Sequence, residues 1–253
     1  MPEWNAAQYL KFESERTQPA IDLANRILIE DPVRIVDIGC GPGNSTGVLA
    51  RRFPHASILG VDSSEDMIAA AQQAYPQLRF QRCDASCDLP SLGTGFDIVF
   101  SNACIQWVPD HPKLLKQLLA MLRTGGALAI QTPMNYEEPI HRIIQEVSAR
   151  WLGAQNPRVF HNLTPGEYYD LLSECASCFN MWHTTYYHVM ESHEGISEWY
   201  RGTGLRPYLE ALPEADRPRF EAEILERIRQ AYPVQKNGDI LFRFPRFFML
   251  AIR

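Results

Sequence analysis

The sequence predicts a doubly wound α/β fold: a mostly parallel sheet with helices on both faces, and helical segments added late as a cap. Three observations carry this expectation. Short apolar runs alternate with helical patterns over residues 1–132. Those runs are continuously apolar, as strands covered on both faces must be, where a half-exposed strand would alternate. A glycine-rich turn, Gly39-Cys40-Gly41-Pro42-Gly43, closes the first run, where a βα unit sets its ligand-binding loop.

The elements follow in order. Arg34–Gly39 reads as the first strand and Ser45–Arg52 as the helix after the glycine turn. Ser57–Asp62 is a second strand, followed by a helix capped near Ser64 that runs through MIAAAQQA. Leu78–Cys83, Phe96–Ser101 and Gly126–Gln131 supply three more strands, with a helix over Leu114–Leu122 before the last and Gly125-Gly126 as its stop. Right-handed crossovers make such a series doubly wound. After Pro133 the rhythm changes. His141–Trp151 is helical, and Thr164-Pro165-Gly166-Glu167 is a helix start, with Thr as cap and Pro in the first turn. Phe179–Met190 reads as a strand, Glu191–Tyr232 as mostly helical, and the final FPRFFMLAIR as a strand after a turn at Asn237-Gly238. Residues 1–253 form a single domain in this reading, with cap insertions at about 135–178 and 191–236.

Composition narrows the function classes. The 253 residues carry 24 basic and 30 acidic groups, a net charge of −6, with no run of Lys or Arg, which disfavours nucleic acid as a partner. The charge is even along the chain: residues 1–132 hold 11 basic and 14 acidic groups, residues 133–253 hold 13 and 16. No stretch approaches 18 consecutive apolar residues, and the first residues lack the apolar core of a signal peptide, so a cytoplasmic enzyme with no membrane partner is expected. Six cysteines should then be reduced thiols. Cys175-Ala-Ser-Cys178 lacks the second pair that a zinc site needs and reads as small buried hydrophobes. His183, His188 and His193 recur every five residues, which fits no metal triad, so no metal is expected.

The loop Val36-Asp37-Ile38-Gly39-Cys40-Gly41-Pro42-Gly43-Asn44 has the spacing G-x-G-x-G. A dinucleotide fingerprint would need glycine at position 44, and Asp37 would repel a pyrophosphate while attracting an ammonium or sulfonium. Nicotinamide cofactors are therefore disfavoured and S-adenosylmethionine favoured. Asp62, at the end of the second strand, stands where a carboxylate accepts both ribose hydroxyls. Asp84 follows the third strand and suits an adenine amino group, and Met67 and Ile68 offer apolar contact to the base.

VDIGCGPGNST, GVDSS, FDIVFSNACIQW and LLRTGG resemble the class I S-adenosylmethionine-dependent methyltransferases. WNAAQYLKFESERTQPA, VPDHPKLL, WHTTYYHVM, TGLRPYL and NGDILFRFPRFF are more specific. They resemble one family of that class, the trans-aconitate 2-methyltransferases, along almost the whole chain. The resemblance implies a Rossmann-like seven-stranded sheet with its last strand antiparallel, and a monomeric cytoplasmic enzyme. It implies methyl esterification of one trans-aconitate carboxylate, giving (E)-3-(methoxycarbonyl)pent-2-enedioate and S-adenosylhomocysteine. It also implies that Gly39, Gly41 and Gly43 line the methionine part of the cofactor, Asp62 with Ser63 holds the ribose, and Asp84 with Ala85 the adenine. Asn102 and Ala103 would approach the methionine amino group, and Tyr9 and Arg16 would close over the cofactor.

A carboxylate acceptor is ionised at neutral pH, so the transfer needs positioning and exclusion of water and no general base. The sequence accordingly shows no nucleophile–base pair and no N-P-P-[FY] motif of amide methylation. A small tricarboxylate needs fixed cations, for which the guanidinium fork is suited. The candidates are Arg201, Arg206, Arg243 and Arg246, interleaved with Tyr186, Tyr187 and His188, while Gln106 and Trp107 lie just past the fourth strand. Two alternatives stay open: another small-molecule methyltransferase of this fold, acting on oxygen, nitrogen or carbon, and an S-adenosylmethionine-binding protein without turnover.

Overall fold

The computed structural model describes residues 13–153, 160–201 and 204–253, and of residues 13–16 the backbone alone. The expected strands pair into one seven-stranded sheet of order β3-β2-β1-β4-β5-β7-β6. They are β1 (Arg34–Ile38), β2 (Ser57–Asp62), β3 (Arg79–Arg82), β4 (Phe96–Asn102), β5 (Leu122–Pro133), β6 (Cys178–Met190) and β7 (Ile240–Ile252). Pairing is parallel from β3 through β5, and β7 runs antiparallel to β5, with Ala127 opposite Ile252 and Pro133 opposite Arg246.

Two compact units share the chain. Among the described residues, the larger holds 13–133, 160–184 and 246–253; the smaller holds 134–153, 185–201 and 204–245. The larger contains helices α1 (Glu13–Asn25), α2 (Asn44–Arg52), α3 (Glu65–Ala74), α4 (His111–Met121) and α6 (Pro165–Cys175). The smaller contains α5 (Pro139–Leu152), α7 (His193–Arg201), α8 (Arg206–Ala211) and α9 (Arg217–Ala231). The expected cap at 135–178 therefore divides. Residues 160–184 cluster with the sheet because Tyr168 of α6 is fully buried, bonds His111 Nδ1 at 2.6 Å and stacks on Phe247 of β7.

Local chemistry explains the boundaries. Ser64 caps α3 by accepting the Met67 N–H, with Glu65 and Asp66 favourably placed in the first turn. Thr164 and Glu167 form a full capping box on α6. β5 starts four residues earlier than its apolar run suggests. Leu122 pairs with Phe96, the register shifts before Ile98 pairs with Ala127, and the intervening loop carries Arg123 to Asp97. Asp97 Oδ2 also accepts the Val33 and Arg34 N–H groups at 2.9 and 2.8 Å, tying the start of β1 to β4.

In the larger unit the core lies along β1, β4 and β5, where Ile35, Val36, Ile98, Val99, Phe100 and Ala129 are fully buried. The smaller unit packs α5 and α7 against α9, around Ile140, Ile196, Phe220, Ile224 and Ile228. Cys178 is exposed and Cys175 only half-buried, with its thiol turned to the Leu171 carbonyl, so that pair is not the buried one expected. Among the described residues no group of three or more His, Cys, Asp or Glu is placed to hold a metal, and no helix is long and apolar enough to cross a membrane.

Candidate active site

Strand β1 lies between β2 and β4, so the connections leave it in opposite directions. A crevice opens at such a switch point, at the carboxyl ends of the strands. The glycine loop fills one wall. Gly39 and Cys40 donate N–H bonds to the Val61 carbonyl at 2.8 and 2.9 Å, which draws the loop across the end of β2. Gly39 has φ +73°, and a Cβ there would overlap the side chain of Cys104, so only glycine fits.

Asp62 serves the loop as well as any ligand. Its Oδ2 accepts the Gly41 N–H at 3.0 Å and its Oδ1 the Ser64 N–H at 2.9 Å. A carboxylate offers four acceptor sites, so capacity remains here for a further donor. Burial pushes the Asp62 carboxyl up, and the N–H groups of Ser64, Gly41 and Ser63 pull against that. Met67 and Ile68 are buried beside it on α3, and Ser63 is half-buried. Past β3, the Asp84 Oδ1 accepts both the N–H and the hydroxyl of Ser86, and Ala85 is buried.

Asp37 departs from the expectation that its carboxylate faces the ligand. It is fully buried, and its Oδ2 accepts the hydroxyls of Ser45 and Thr46, at 2.6 and 2.7 Å, in the first turn of α2. Burial pushes its pKa up to about 6, against the lowering effect of those two hydroxyls. It therefore anchors the helix behind the loop. The cause is the first turn of α2, whose two hydroxyls hold the Asp37 carboxylate under the helix.

A cavity at this crevice is lined by Thr17, Gly39, Cys40, Pro42, Asn44, Ser45 and Asn102. Two buried oxygens in its wall, Asn102 Oδ1 and Thr17 Oγ1, accept no hydrogen bond from the protein. Buried polar atoms are otherwise almost always satisfied, so these two point to a donor supplied from outside. They suit an ammonium such as that of the methionine part of S-adenosylmethionine. Thr17 carries no sequence signal beyond its helix and was missed. Of the two N-terminal expectations, Tyr9 and the side chain of Arg16 lie outside the described residues. Ala103 follows Asn102 with φ +54°, and its N–H donates to the Gln131 carbonyl at 2.9 Å.

The acceptor candidates fare unevenly. Gln106 is buried with both ends of its amide committed: Nε2 donates to the Ala103 carbonyl at 2.7 Å and Oε1 accepts the Thr132 hydroxyl at 3.2 Å. It braces the turn after β4. Trp107 is half-buried against Phe160, ring centroids 5.4 Å apart. Arg246 is buried at the β7 end that faces Pro133.

In the smaller unit Tyr186 and His188 share one face of β6, rings stacked at 6.5 Å, and His188 also stacks on Trp199 at 4.8 Å. Tyr187 falls on the opposite face and is 61% exposed, because strand side chains alternate; the three cannot line one surface. Arg201 forks onto Glu221, with contacts of 2.8 and 2.9 Å, and Arg206 bonds Glu210 at 2.6 Å. Their charge is already balanced by carboxylates of α9 and α8, contrary to their expected role as free anion binders. Arg243 faces Glu138 at 3.6 Å. Sequence reasoning also missed a buried polar cluster here, in which the Tyr200 hydroxyl meets His141 Nε2 at 3.0 Å and Asn135 Nδ2 at 3.3 Å.

Residues 35–126 match the family model of a methyltransferase domain. The chain is also similar in fold to the YcgJ protein of Bacillus subtilis, with TM-score 0.62 at 18% identity over 93% of this chain and 98% of that one. A phosphoethanolamine N-methyltransferase 2 of Haemonchus contortus, in complex with S-adenosyl-L-methionine, matches with TM-score 0.57 at 18% identity over 93% of this chain and 52% of that one. Fold and loop together define a methyltransferase of the Rossmann-like class. Among curated relatives, the trans-aconitate 2-methyltransferase of Azoarcus sp. strain BH72 is 47% identical over the whole of both chains. That of Rhodopseudomonas palustris strain BisB18 is 45% identical, again over both whole chains. That of Variovorax paradoxus strain S110 is 44% identical over 99% of this chain and 98% of its own. The chain belongs to the trans-aconitate 2-methyltransferase family.

Proposed function

We propose that the protein methyl-esterifies one carboxylate of trans-aconitate, with S-adenosylmethionine as methyl donor and S-adenosylhomocysteine as product. The observation that carries the reading is the cavity at the carboxyl ends of β1 and β4, where Asn102 Oδ1 and Thr17 Oγ1 are buried without a donor. The full-length likeness to trans-aconitate 2-methyltransferases supports the choice of acceptor.

In this reading Asn102 and Thr17 accept from the ammonium, with Gly39, Gly41, Gly43 and Ala103 bringing backbone close to it. Asp62 accepts the ribose hydroxyls, next to Ser63. Asp84 keeps Oδ2 for the adenine amino group, and Met67, Ile68 and Ala85 wall the base. The bound cofactor supplies a sulfonium methyl open to in-line attack. The residues on the acceptor side need not move a proton, because an acceptor carboxylate is ionised at neutral pH. They hold it in line and keep water out, since charge cancels as the bond forms. Arg246 and Trp107 are the acceptor residues of the larger unit that this reading retains. The enzyme acts as a monomer in the cytoplasm, a part of the reading that rests on the family resemblance.

The test is methyl transfer from radiolabelled S-adenosylmethionine to trans-aconitate, cis-aconitate, isocitrate and citrate in parallel. The highest kcat/KM for trans-aconitate is expected. No transfer to any of the four by protein that binds the cofactor would overturn the choice of acceptor.

A further inference from the structure

We propose that Gln131, on β5, is a ligand-binding residue that takes a carboxylate jointly with Arg246. The proposal deepens the methyl-transfer reading and rests on it for the identity of the carboxylate, which belongs to the cofactor's methionine part or to the acceptor.

Gln131 has no accessible surface, and neither its Oε1 nor its Nε2 has a hydrogen-bond partner. A fully buried primary amide with both ends open is rare in a folded protein, because water has been stripped from it and nothing replaces the lost bonds. Sheet register shows where the amide stands. Gln131 is the partner of Asn102 on β4 and of Phe248 on β7. Register partners project to the same face, and residues two apart on a strand do likewise, so Asn102, Gln131 and Arg246 rise from one face. Neighbouring strands are about 4.8 Å apart, which sets the three side chains in a row along the carboxyl ends of β4 and β5.

The opposite face accounts for the residues in between. Thr132 bonds Gln106 and Asn162, and Phe247 stacks on Tyr168. On the Gln131 face, helix α1 packs over β5, and its Thr17 lines the cavity together with Asn102. The row thus runs from the wall of that cavity to a buried arginine. An amide N–H beside a guanidinium is a carboxylate-binding arrangement. The Gln131 Oε1 remains for an adjoining donor, as the Asn102 Oδ1 does.

The test uses Gln131→Met, close in shape to Gln, and Gln131→Leu as a second variant. A buried amide without partners contributes nothing to the free fold, so the Tm of both variants without ligand is expected to equal or exceed that of the wild type. Calorimetry then has two arms: S-adenosylhomocysteine with the free protein, and trans-aconitate with protein saturated in S-adenosylhomocysteine. Loss of one hydrogen bond to a charged group predicts about tenfold or more weaker binding in one arm. Weakening in the first assigns the cofactor's carboxylate, and weakening in the second, with the first unchanged, the acceptor's. A Tm lower by several degrees in both variants would make the amide structural and overturn the proposal, as would unchanged affinity in both arms. If the wild type itself binds no trans-aconitate, the acceptor reading fails and the first arm alone decides the role of Gln131.

Discussion

Replacing Asp62 with alanine separates what the protein does for its own loop from what it does for the cofactor. In the structure each oxygen of Asp62 spends one lone pair on a backbone N–H, from Gly41 at 3.0 Å and Ser64 at 2.9 Å. Acceptor capacity remains on the carboxylate, and the ribose has two adjacent hydroxyls. A hydrogen bond to a charged group contributes about 1.5–3 kcal/mol. Because the alanine variant also frees the Gly41 N–H, part of the loss comes from a loosened loop. We expect S-adenosylhomocysteine binding to weaken by more than about 2 kcal/mol, roughly thirtyfold in Kd at 1.4 kcal/mol per decade. Asp62→Asn keeps the shape and one acceptor oxygen, so it should fall between wild type and alanine. Isothermal calorimetry reads the affinities, and a thermal melt of the free proteins reports the loop. An alanine variant that binds within twofold of wild type would refute the ribose role of Asp62.

Further expectations concern stability, the acceptor residues and pH. Asp37 titrates near 6 when folded against a usual 3.8, so the folded protein holds a proton that the unfolded chain has lost between those values. Stability of the cofactor-free protein should fall as pH rises through that window and level off above about 6, by at most roughly 3 kcal/mol. Asp37→Asn should remove that dependence, and denaturant melts of the two proteins running parallel from pH 4.5 to 7.5 would contradict it. Gly39→Ala combines a positive φ with overlap of Cys104 and should cost about 3 kcal/mol or more in a urea melt, with Cys104→Ala giving no rescue because its Cβ stays. Arg206→Ala, losing only its Glu210 partner, should leave KM for the acceptor within twofold; a tenfold rise would return it to the site. With no proton to move, kcat should be flat from pH 7 to 9, and a sigmoidal rise would reveal a base.

Much of the fold was legible because the central strands β1 and β4 and the later half of β5 are buried on both faces and read as unbroken apolar runs, and because Ser64 and Thr164 announce their helices by capping chemistry. The start of β5 was not legible, since a register shift built on Arg123 and Asp97 has no local pattern. On the proposed cofactor side, the placement of Asp62 at the end of β2 beside the glycine loop could be read from the sequence, because it follows from position in a βα unit. The acceptor side was not. An arginine's spacing does not reveal whether a carboxylate far along the chain already holds it, as Glu221 holds Arg201. Gln131 looks like an ordinary residue inside an apolar strand. Only register and the absence of partners set it apart.

The central claim is that the methyl group ends on a carboxylate oxygen. The direct measurement is to incubate the enzyme with trans-aconitate and methyl-labelled S-adenosylmethionine, isolate the labelled product, and expose it to mild base. An ester predicts complete release of the label as methanol with recovery of trans-aconitate. Label that survives base, carried on carbon, would contradict the account.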